Sequence, residues 1–539
     1  MGGNDIYGRG VILREHYRTA DRALFDRTGA LRPSPADPLL RDLGRAANHS
    51  VLWMACAAVC AAAGGHARRG AVRGLLSVAG ASALTNGLLK PLLPRRRPPA
   101  RTDPKFLRRS VPIPRSSSFP SGHSASAAAF VTGVALESPA AGAVLAPLAA
   151  AVAYSRVHTG VHWPGDVVVG AAVGASVAWS TRRWWAVRSR EPAAVQVAAA
   201  APALPGGEGM LLIVNRDAGT AEEIAAVVTA ALPGAHRVDL DADRDPADEL
   251  ARLLAEHRPT ALGVCGGDGT VAAVLDTAVD ARLPVAVFPG GTLNHFAHDL
   301  GVVDLEETVR AVTVGQAVAV GLGQVTVTGP AGRTVRRFVN TASLGGYPDA
   351  VRLRQHWEPR IGKWPAAGLA MLAVLRTASP MPVRIDGAGR AVWLLFVGNG
   401  RYTPGDQVPM SRSHLDPGTL DVRYLPAERR FSRLRLLVAA ATGTLGASPM
   451  YRHRHSPALA VQVIGDPVAL ATDGEVPTDG TGFDFEVVPS ALTVYRLAVD
   501  QPASGPGAGS EPDAVPDSVP DAVPDAGAGS APGVSDGAG

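Results

Sequence analysis

Residues 155–166 read SRVHTGVHWPGD and set Arg156, His158, His162 and Asp166 between AGAVLAPLAAAVAY and VVVGAAVGASVAW, two runs without a charged side chain. Ionisable groups at the border of lipid-compatible segments are costly to desolvate, so they face a site or a partner. Two more polar islands stand upstream at the ends of apolar runs: KPLLPRRRP, with Lys90, Arg95, Arg96 and Arg97, and SFPSGHS, with Ser121, Gly122 and His123. A different chemistry is written at 264–275, VCGGDGTVAAVL, where Gly266, Gly267, Asp268, Gly269 and Thr270 join a strand-like run to a helix-like one. A tight glycine turn there lets backbone amides approach phosphates, although the lysine of a P-loop is absent.

The elements that must hold these residues change character along the chain. At 539 residues the chain exceeds one ordinary domain, and its 46% hydrophobic but 5% aromatic composition makes the apolar mass Ala, Val and Leu. Net charge is +4 with Lys and Arg spread out, which gives no nucleic-acid stripe. Cys56, Cys60 and Cys265 form neither a disulfide framework nor a zinc spacing, and the polar N-terminus is unlike a secretory signal. Residues 1–46 read as an amphipathic N-terminal segment. Apolar runs then fall at about 50–64, 74–93, 122–137, 140–154 and 166–181, each near the lower limit for crossing a bilayer and rich in the small residues that let membrane helices pack closely. We place this helical domain at 47–186 and a linker of Ala, Pro and Gly at 187–208. Strand and helix patterns alternate over 209–312, which predicts parallel strands with crossover helices, and alternating runs dominate 313–499, with helical inserts near 362–378 and 430–445. The PDAV and PDSV repeats of 500–539 cannot bury enough apolar surface to order, so this tail is expected to be disordered.

The three polar islands, in order and at their spacing, resemble the signature motifs of the type 2 phosphatidic acid phosphatase superfamily. The resemblance implies that Lys90, Arg97 and Arg156 grip a phosphate, helped by Ser121 and the amide of Gly122, as Lys, Arg and helix N-termini do. It makes His162 the nucleophile that forms a phosphohistidine, Asp166 the group that orients its ring, and His123 the acid that protonates the leaving alkoxide, without a metal. Taken as a lone cluster, Lys90, Arg95, Arg96 and Arg97 also read as a basic flank anchoring a helix at headgroups, and His158 reads as a solvated or supporting residue.

The glycine loop, together with VNRDAG at 214–219 and FPGGTLNHFAHDLG at 288–301, resembles the diacylglycerol kinase catalytic domain. By that resemblance Asn215, Gly219, Gly266, Gly267, Gly269, Thr270, Thr292 and Asn294 contact ATP, and Asp268 holds or orients the Mg2+-bound phosphates. ATDGEVP at 471–477 makes Glu475 the general base on the acceptor hydroxyl, with Asp473 beside it. Three positions depart from the family pattern: Arg216 stands where Pro is usual, Gly321 where many relatives carry Asp, and Pro417 where Asp is common. The last puts a structural magnesium site near Asp416 in doubt.

The expected fold is therefore multidomain: an all-α membrane helix bundle, then a two-lobed lipid kinase with an α/β Rossmann-like lobe and a mainly-β sandwich lobe. Read together, the two resemblances imply a bifunctional multi-pass membrane enzyme, with a metal-independent lipid phosphatase facing outward and an ATP- and Mg2+-dependent kinase in the cytoplasm. Its partners are lipid substrates rather than nucleic acid, and the kinase domain offers a route to a homodimer. A membrane-tethered kinase with a soluble acceptor and a non-catalytic lipid-binding regulator remain the alternative readings.

Overall fold

The computed structural model describes residues 18–497 apart from 101–108, 110, 188–191, 196, 242–243, 292–293, 303, 331, 363–365, 367–368, 371–372, 375, 408, 410 and 416–417, and leaves the side chain of 477 undescribed. The expected tail at 500–539, the first 17 residues of the N-terminal segment, Thr292 and Asp416 thus lie outside the described residues.

Residues 18–29 are helical and are followed by α1 (Ala36–Ala46), α2 (Val51–Ala62) and α3 (Gly65–Ser82). Helix α3 continues without a break through a π-helical stretch, Ala83–Leu89, and one further turn, Lys90–Leu92. The whole run is about 40 Å long at 1.5 Å per residue, and it begins earlier than the apolar pattern suggests because Arg68, Arg69 and Arg73 interrupt that pattern. Helices α4 (Gly122–Glu137), α5 (Pro139–His158) and α6 (Pro164–Ser180) complete the bundle. All five expected runs are helical; among the described residues, Pro139–His158 alone is long and apolar enough by itself to cross a membrane.

Small residues set how closely these helices approach. A Cβ at Gly170 would stand 2.4 Å from the Ser121 carbonyl oxygen, and one at Gly174 would stand 2.0 Å from that of Ala125. The start of α4 is thereby pressed against α6, around a core that includes Trp53, Phe130 and Val134. At the far end from the polar islands, the buried Arg73 donates to Glu137 (2.8 and 2.6 Å), to the Thr181 hydroxyl (2.8 Å) and to the Trp185 carbonyl (2.6 Å). Arg69 adds a 3.1 Å bond to the other Glu137 oxygen. This clamp fixes the direction in which the chain leaves the bundle.

Beyond it, β1 (Ala198–Ala200), β2 (Met210–Val214), β3 (His236–Asp239), β4 (Ala261–Gly266) and β5 (Val285–Pro289) enter a 16-stranded sheet. Strands β2, β4 and β5 read as continuous apolar runs because helices cover both of their faces: α7 (Ala221–Ala231), α8 (Pro246–His257), α9 (Asp268–Ala281), α10 (His295–Leu300) and α11 (Leu305–Val314). The order β5-β4-β2-β3 is parallel throughout.

The second lobe begins with β6 (Gln316–Gly329), β7 (Gly332–Phe338) and β8 (Thr341–Gly345). One reading is corrected here. The expected sandwich is not a separate pair of sheets: the last strand, Gly482–Tyr495, pairs with β6 over most of its length and reaches the parallel sheet at Val494↔Val285, so one sheet runs through both lobes. A strand of 14 residues, roughly 45 Å, is long enough to belong to both. Within the linker, Ala198–Ala200 pairs antiparallel with Gln316–Val318; backbone pairing needs no side-chain pattern, which is why periodicity misses it. Helix α12 (Gly346–Ile361) starts ahead of the insert expected near 362–378, because its Gly and Pro residues read as loop, while α13 (Ser432–Thr442) falls inside the insert expected near 430–445.

Candidate active sites

The three polar islands meet at one end of the bundle and are stitched together by backbone. Ser118 N donates to the Arg95 carbonyl (3.0 Å), Ser121 N to the Asp166 carbonyl (2.9 Å), and the Arg97 guanidinium to the Val161 carbonyl (2.8 Å). Pro164 opens α6, and Asp166 in its first turn accepts from Trp163 N at 3.0 Å, closing that helix end. The same carboxylate faces His162 Nδ1 at 3.6 Å, longer than a hydrogen bond, and accepts from Arg95 at 2.7 Å. The opposite ring nitrogen, His162 Nε2, stands 3.3 Å from the Arg97 guanidinium. His162 is therefore backed by a carboxylate on one nitrogen and faces a cation with the other. Burial pushes its imidazole down to about 4, with Arg97 adding to the shift and Asp166 opposing it, so the ring is neutral at ordinary pH.

Arg156 is 6% exposed, touches the Gly44 carbonyl at 3.4 Å, and has a buried Nε without a partner among the described residues. A buried unpaired guanidinium nitrogen is costly, and an anion would satisfy it. Lys90 Nζ is held by Asn86 at 2.7 Å and lies 3.6 Å from where a Gly122 Cβ would be. His123 Nε2 meets Asn48 Oδ1 at 2.8 Å. The Ser121 hydroxyl caps α4, accepting from Ser124 N (3.4 Å) and the Ser124 hydroxyl (2.9 Å), which leaves only its own hydrogen to offer an anion.

Two sequence readings change. Arg95 is no headgroup anchor: it bridges Asp166 and Asp21 (2.5 Å) and lies over the Trp163 ring. His158 is not solvated; it is 5% exposed and bonded to Asp37 at 2.9 Å, which also accepts from Arg109 at 2.9 Å. The residues that sequence reasoning missed, Asp21, Asp37 and Asn48, lie far upstream of their partners and carry no local signal. Asn86 is the exception, sitting one helical turn before Lys90 on the same face.

The second site lies where β2, β4 and β5 end. Asn215 donates to the Thr270 hydroxyl (2.9 Å), Thr220 N to the Gly290 carbonyl (2.8 Å), and Gly291 N to Asn294 Oδ1 (2.9 Å). Gly219 has φ +49, and a Cβ there would meet the Gly290 carbonyl at 2.7 Å. A Cβ on Gly291 would stand 2.5 Å from the Gly267 Cα, so the loops form a cradle only glycine can line. Asp268 braces this cradle, because its Oδ1 accepts from His295 N at 2.6 Å. Arg216, in place of the usual Pro, pairs with Asp239 at 2.5 Å.

Asp473 and Gly474, with φ +48 and +91, form a two-residue hairpin turn of the Asp-Gly type between paired Thr472 and Glu475. The Asp473 carboxylate accepts the amides of Val339, Asn340 and Thr341 (2.8, 2.8 and 2.9 Å), which fixes the turn to the second lobe. Burial raises its carboxyl above the ordinary range against the pull of those amides. The turn carries Glu475 to the glycine loop, with Oε1 2.9 Å from where a Gly269 Cβ would be. Arg412, which sequence reasoning missed, is buried and spans Asp299 (2.7 Å), the Val339 carbonyl (2.7 Å) and Asn340 (3.2 Å), locking the two lobes together.

The groups fit phosphate chemistry at both sites. The cradle suits a nucleotide, with Asp268 and Glu475 as nearby carboxylates. Among the described residues Asp421, His453 and His455 have metal-like spacing, but Arg423 covers both Asp421 oxygens at 2.7 Å. Burial raises the Asp421 carboxyl, yet Arg423 and His453 outweigh it and hold it at about 2.

Comparisons with known proteins agree with this division. The PAP2 superfamily matches residues 71–190 and the diacylglycerol kinase catalytic domain matches residues 209–325. The chain is 35% identical over 161 residues to the decaprenylphosphoryl-5-phosphoribose phosphatase of Mycobacterium tuberculosis, covering 29% of this chain and 80% of that protein. The chain belongs to the PAP2 superfamily and carries a diacylglycerol kinase catalytic domain. Its PAP2 half thus supplies a lipid phosphatase domain, and the half behind it a lipid kinase domain. The kinase half is 26% identical over 266 residues to a diacylglycerol kinase of the same organism, covering 47% of this chain and 82% of that one. A solved PAP2-type phosphatidylglycerolphosphate phosphatase of Bacillus subtilis is similar over 30% of this chain and 83% of its own, at 21% identity and a TM-score of 0.25.

Proposed function

We propose that the chain is a bifunctional, multi-pass membrane enzyme that removes phosphate from a lipid at one bilayer face and phosphorylates a lipid hydroxyl at the other. The observation that carries the phosphatase reading is the polarised setting of His162, with Asp166 behind Nδ1 and Arg97 before Nε2. In this reading Nε2 attacks phosphorus and the phosphorus–oxygen bond breaks toward the lipid. His123, its ring oriented by Asn48 and held down to about 3 by burial and the nearby Arg156 charge, takes up a proton as the phosphate anion enters and gives it to the departing oxygen, and water then releases phosphate from the phosphohistidine. Arg97, Arg156 and Lys90 neutralise the oxygens, and no step calls on a metal.

In the kinase half, bound ATP and Mg2+ would supply the phosphoryl group and its charge neutralisation. In this reading Asn215, Gly267, Gly269, Thr270 and Asn294 hold the nucleotide, and Asp268 orients the phosphates. Glu475 takes the proton of the acceptor hydroxyl. Phosphoryl transfer depends mainly on such positioning.

Arginines stand at both ends of the bundle. At the phosphatase end Arg95, Arg97 and Arg109 are bound to Asp166, the site and Asp37, while Arg18, Arg22, Arg27, Arg32 and Arg45 stay exposed on the segment that packs there, against the positive-inside tendency. At the other end stand Arg68, Arg69, Arg182 and Arg183, as a cytoplasmic face requires. The test is a double dissociation in membranes containing the full chain. His162→Ala should abolish phosphate release and leave ATP-dependent lipid phosphorylation intact, and Asp268→Ala should do the reverse. A wild-type preparation with only one activity, or with neither, ends the bifunctional reading.

A further inference from the structure

Helix α13 turns Ser432, Leu436 and Ala439 into the substrate lobe. Its opposite side is apolar and open: Phe431 is 63% exposed, Leu434 59%, Leu437 41% and Val438 52%. At 3.6 residues per turn these four share one stripe facing away from the packed residues. Arg429, Arg430 and Arg435 are exposed around that stripe, and no Asp or Glu occurs from Arg429 to Gly465. Arg433 serves a different purpose. It donates to the Arg376 and Ala378 carbonyls (2.7 and 2.5 Å) and lies over the Trp393 ring, pinning the helix to its lobe.

The far end of α13 is attached to the place where α6 leaves the bundle. Trp184 Nε1 donates to the carbonyls of Ala440 (2.9 Å) and Ala441 (3.1 Å), which a helix C-terminus leaves unpaired. Gly443, at φ +64, packs so closely that a Cβ would stand 2.5 Å from the Arg183 Cβ. Trp179, Arg182, Arg183 and Trp184 at this exit are the residue types that sit at headgroup level. The stripe is therefore continuous with the rim of the bundle, and its arginines complement anionic headgroups.

We propose that the α13 face bearing Phe431, Leu434, Leu437 and Val438 lies in the headgroup layer of an anionic leaflet and holds the substrate lobe against it. An apolar stripe rimmed by cations binds an interface through buried area plus attraction to anionic lipid. The inference rests on the reading that the bundle crosses a bilayer.

The test uses the full chain reconstituted in phosphatidylcholine vesicles with and without phosphatidylglycerol. An environment-sensitive fluorophore on Leu434→Cys is compared with one on Val227→Cys, an exposed position of α7, in the same chain. The 434 emission should be blue-shifted and quenched by nitroxide-bearing lipid, more so with phosphatidylglycerol, while the 227 emission stays aqueous. Matching aqueous emission at both positions, in protein that stays with the vesicles after an alkaline wash, overturns this inference alone. Protein that washes off overturns the spanning reading and this one with it. In the same vesicles, Phe431→Glu with Leu434→Glu should lower phosphorylation of long-chain diacylglycerol about tenfold. Phosphate release and phosphorylation of a water-soluble short-chain diacylglycerol should keep their rates. An unchanged long-chain rate also overturns the inference.

Discussion

The two pockets handle the same kind of anion with opposite materials. At the bundle end, charge comes from side chains: Lys90, Arg97 and Arg156 surround His162, with Lys90 held by Asn86 one turn before it and Arg97 by the Val161 carbonyl far along the chain. At the sheet end the walls are mostly backbone, and Gly219, Gly269 and Gly291 matter for the atoms they lack. One site is damaged by taking side chains away and the other by adding them.

That contrast orders the predictions. The largest effect is expected from Gly269→Val, whose side chain would occupy the Glu475 carboxylate position; lipid phosphorylation should fall by about 10^2-fold or more while phosphate release is unchanged. Equal loss of both activities would mean that the two halves do not fail separately. Arg97→Lys keeps the charge but loses the planar guanidinium, whose Nη1 reaches both Val161 and His162 while Nε and Nη2 hold Ser116 and Ser117, and should cost phosphate release roughly 10- to 100-fold with the kinase intact. Glu137→Leu leaves Arg73 buried without its carboxylate and should destabilise the bundle by about 3–5 kcal/mol, seen as a lowered Tm of the purified chain. Gly174→Ala overpacks the α4–α6 contact and should cost about 1–3 kcal/mol by the same measurement.

The smallest effect is a shift in a pH profile. His162 is depressed to about 4, so its lone pair is available above that pH and lost below it, and the acidic fall of kcat/KM should lie near 4 instead of near an ordinary value of about 6.5. Asp166→Asn removes the group that opposes the depression, so the residual activity should fall at still lower pH. A fall at higher pH would show that Asp166 does not act on His162.

Much of the architecture was legible because the motifs are local and the elements obey simple periods. The apolar strands β2, β4 and β5, the helices α7 and α8, and the glycine loop could be placed from pattern alone. The Asp-Gly-Glu segment shows what pattern leaves out. Its first two residues form a hairpin turn, and only the fold reveals that Asp473 binds three amides while Glu475 points at Gly269. Distant partners were illegible for the same reason. Asp21 reaches Arg95, and Arg412 joins Asp299 to Asn340, across separations where no periodicity operates. The strand pairing of Ala198–Ala200 was hidden because three alanines carry no alternation.

Helix α6 puts Asp166 at its start and Thr181, one end of the Arg73 clamp, just past its last turn. On the proposed topology this rod, about 25 Å long, keeps the phosphatase chemistry away from the chain's exit toward the kinase, and a direct hand-over would be ruled out. A lipid stripped of its phosphate at one rim must somersault through hydrocarbon before the other half can use it, so the pace of flip-flop would govern whether the two reactions ever share a molecule.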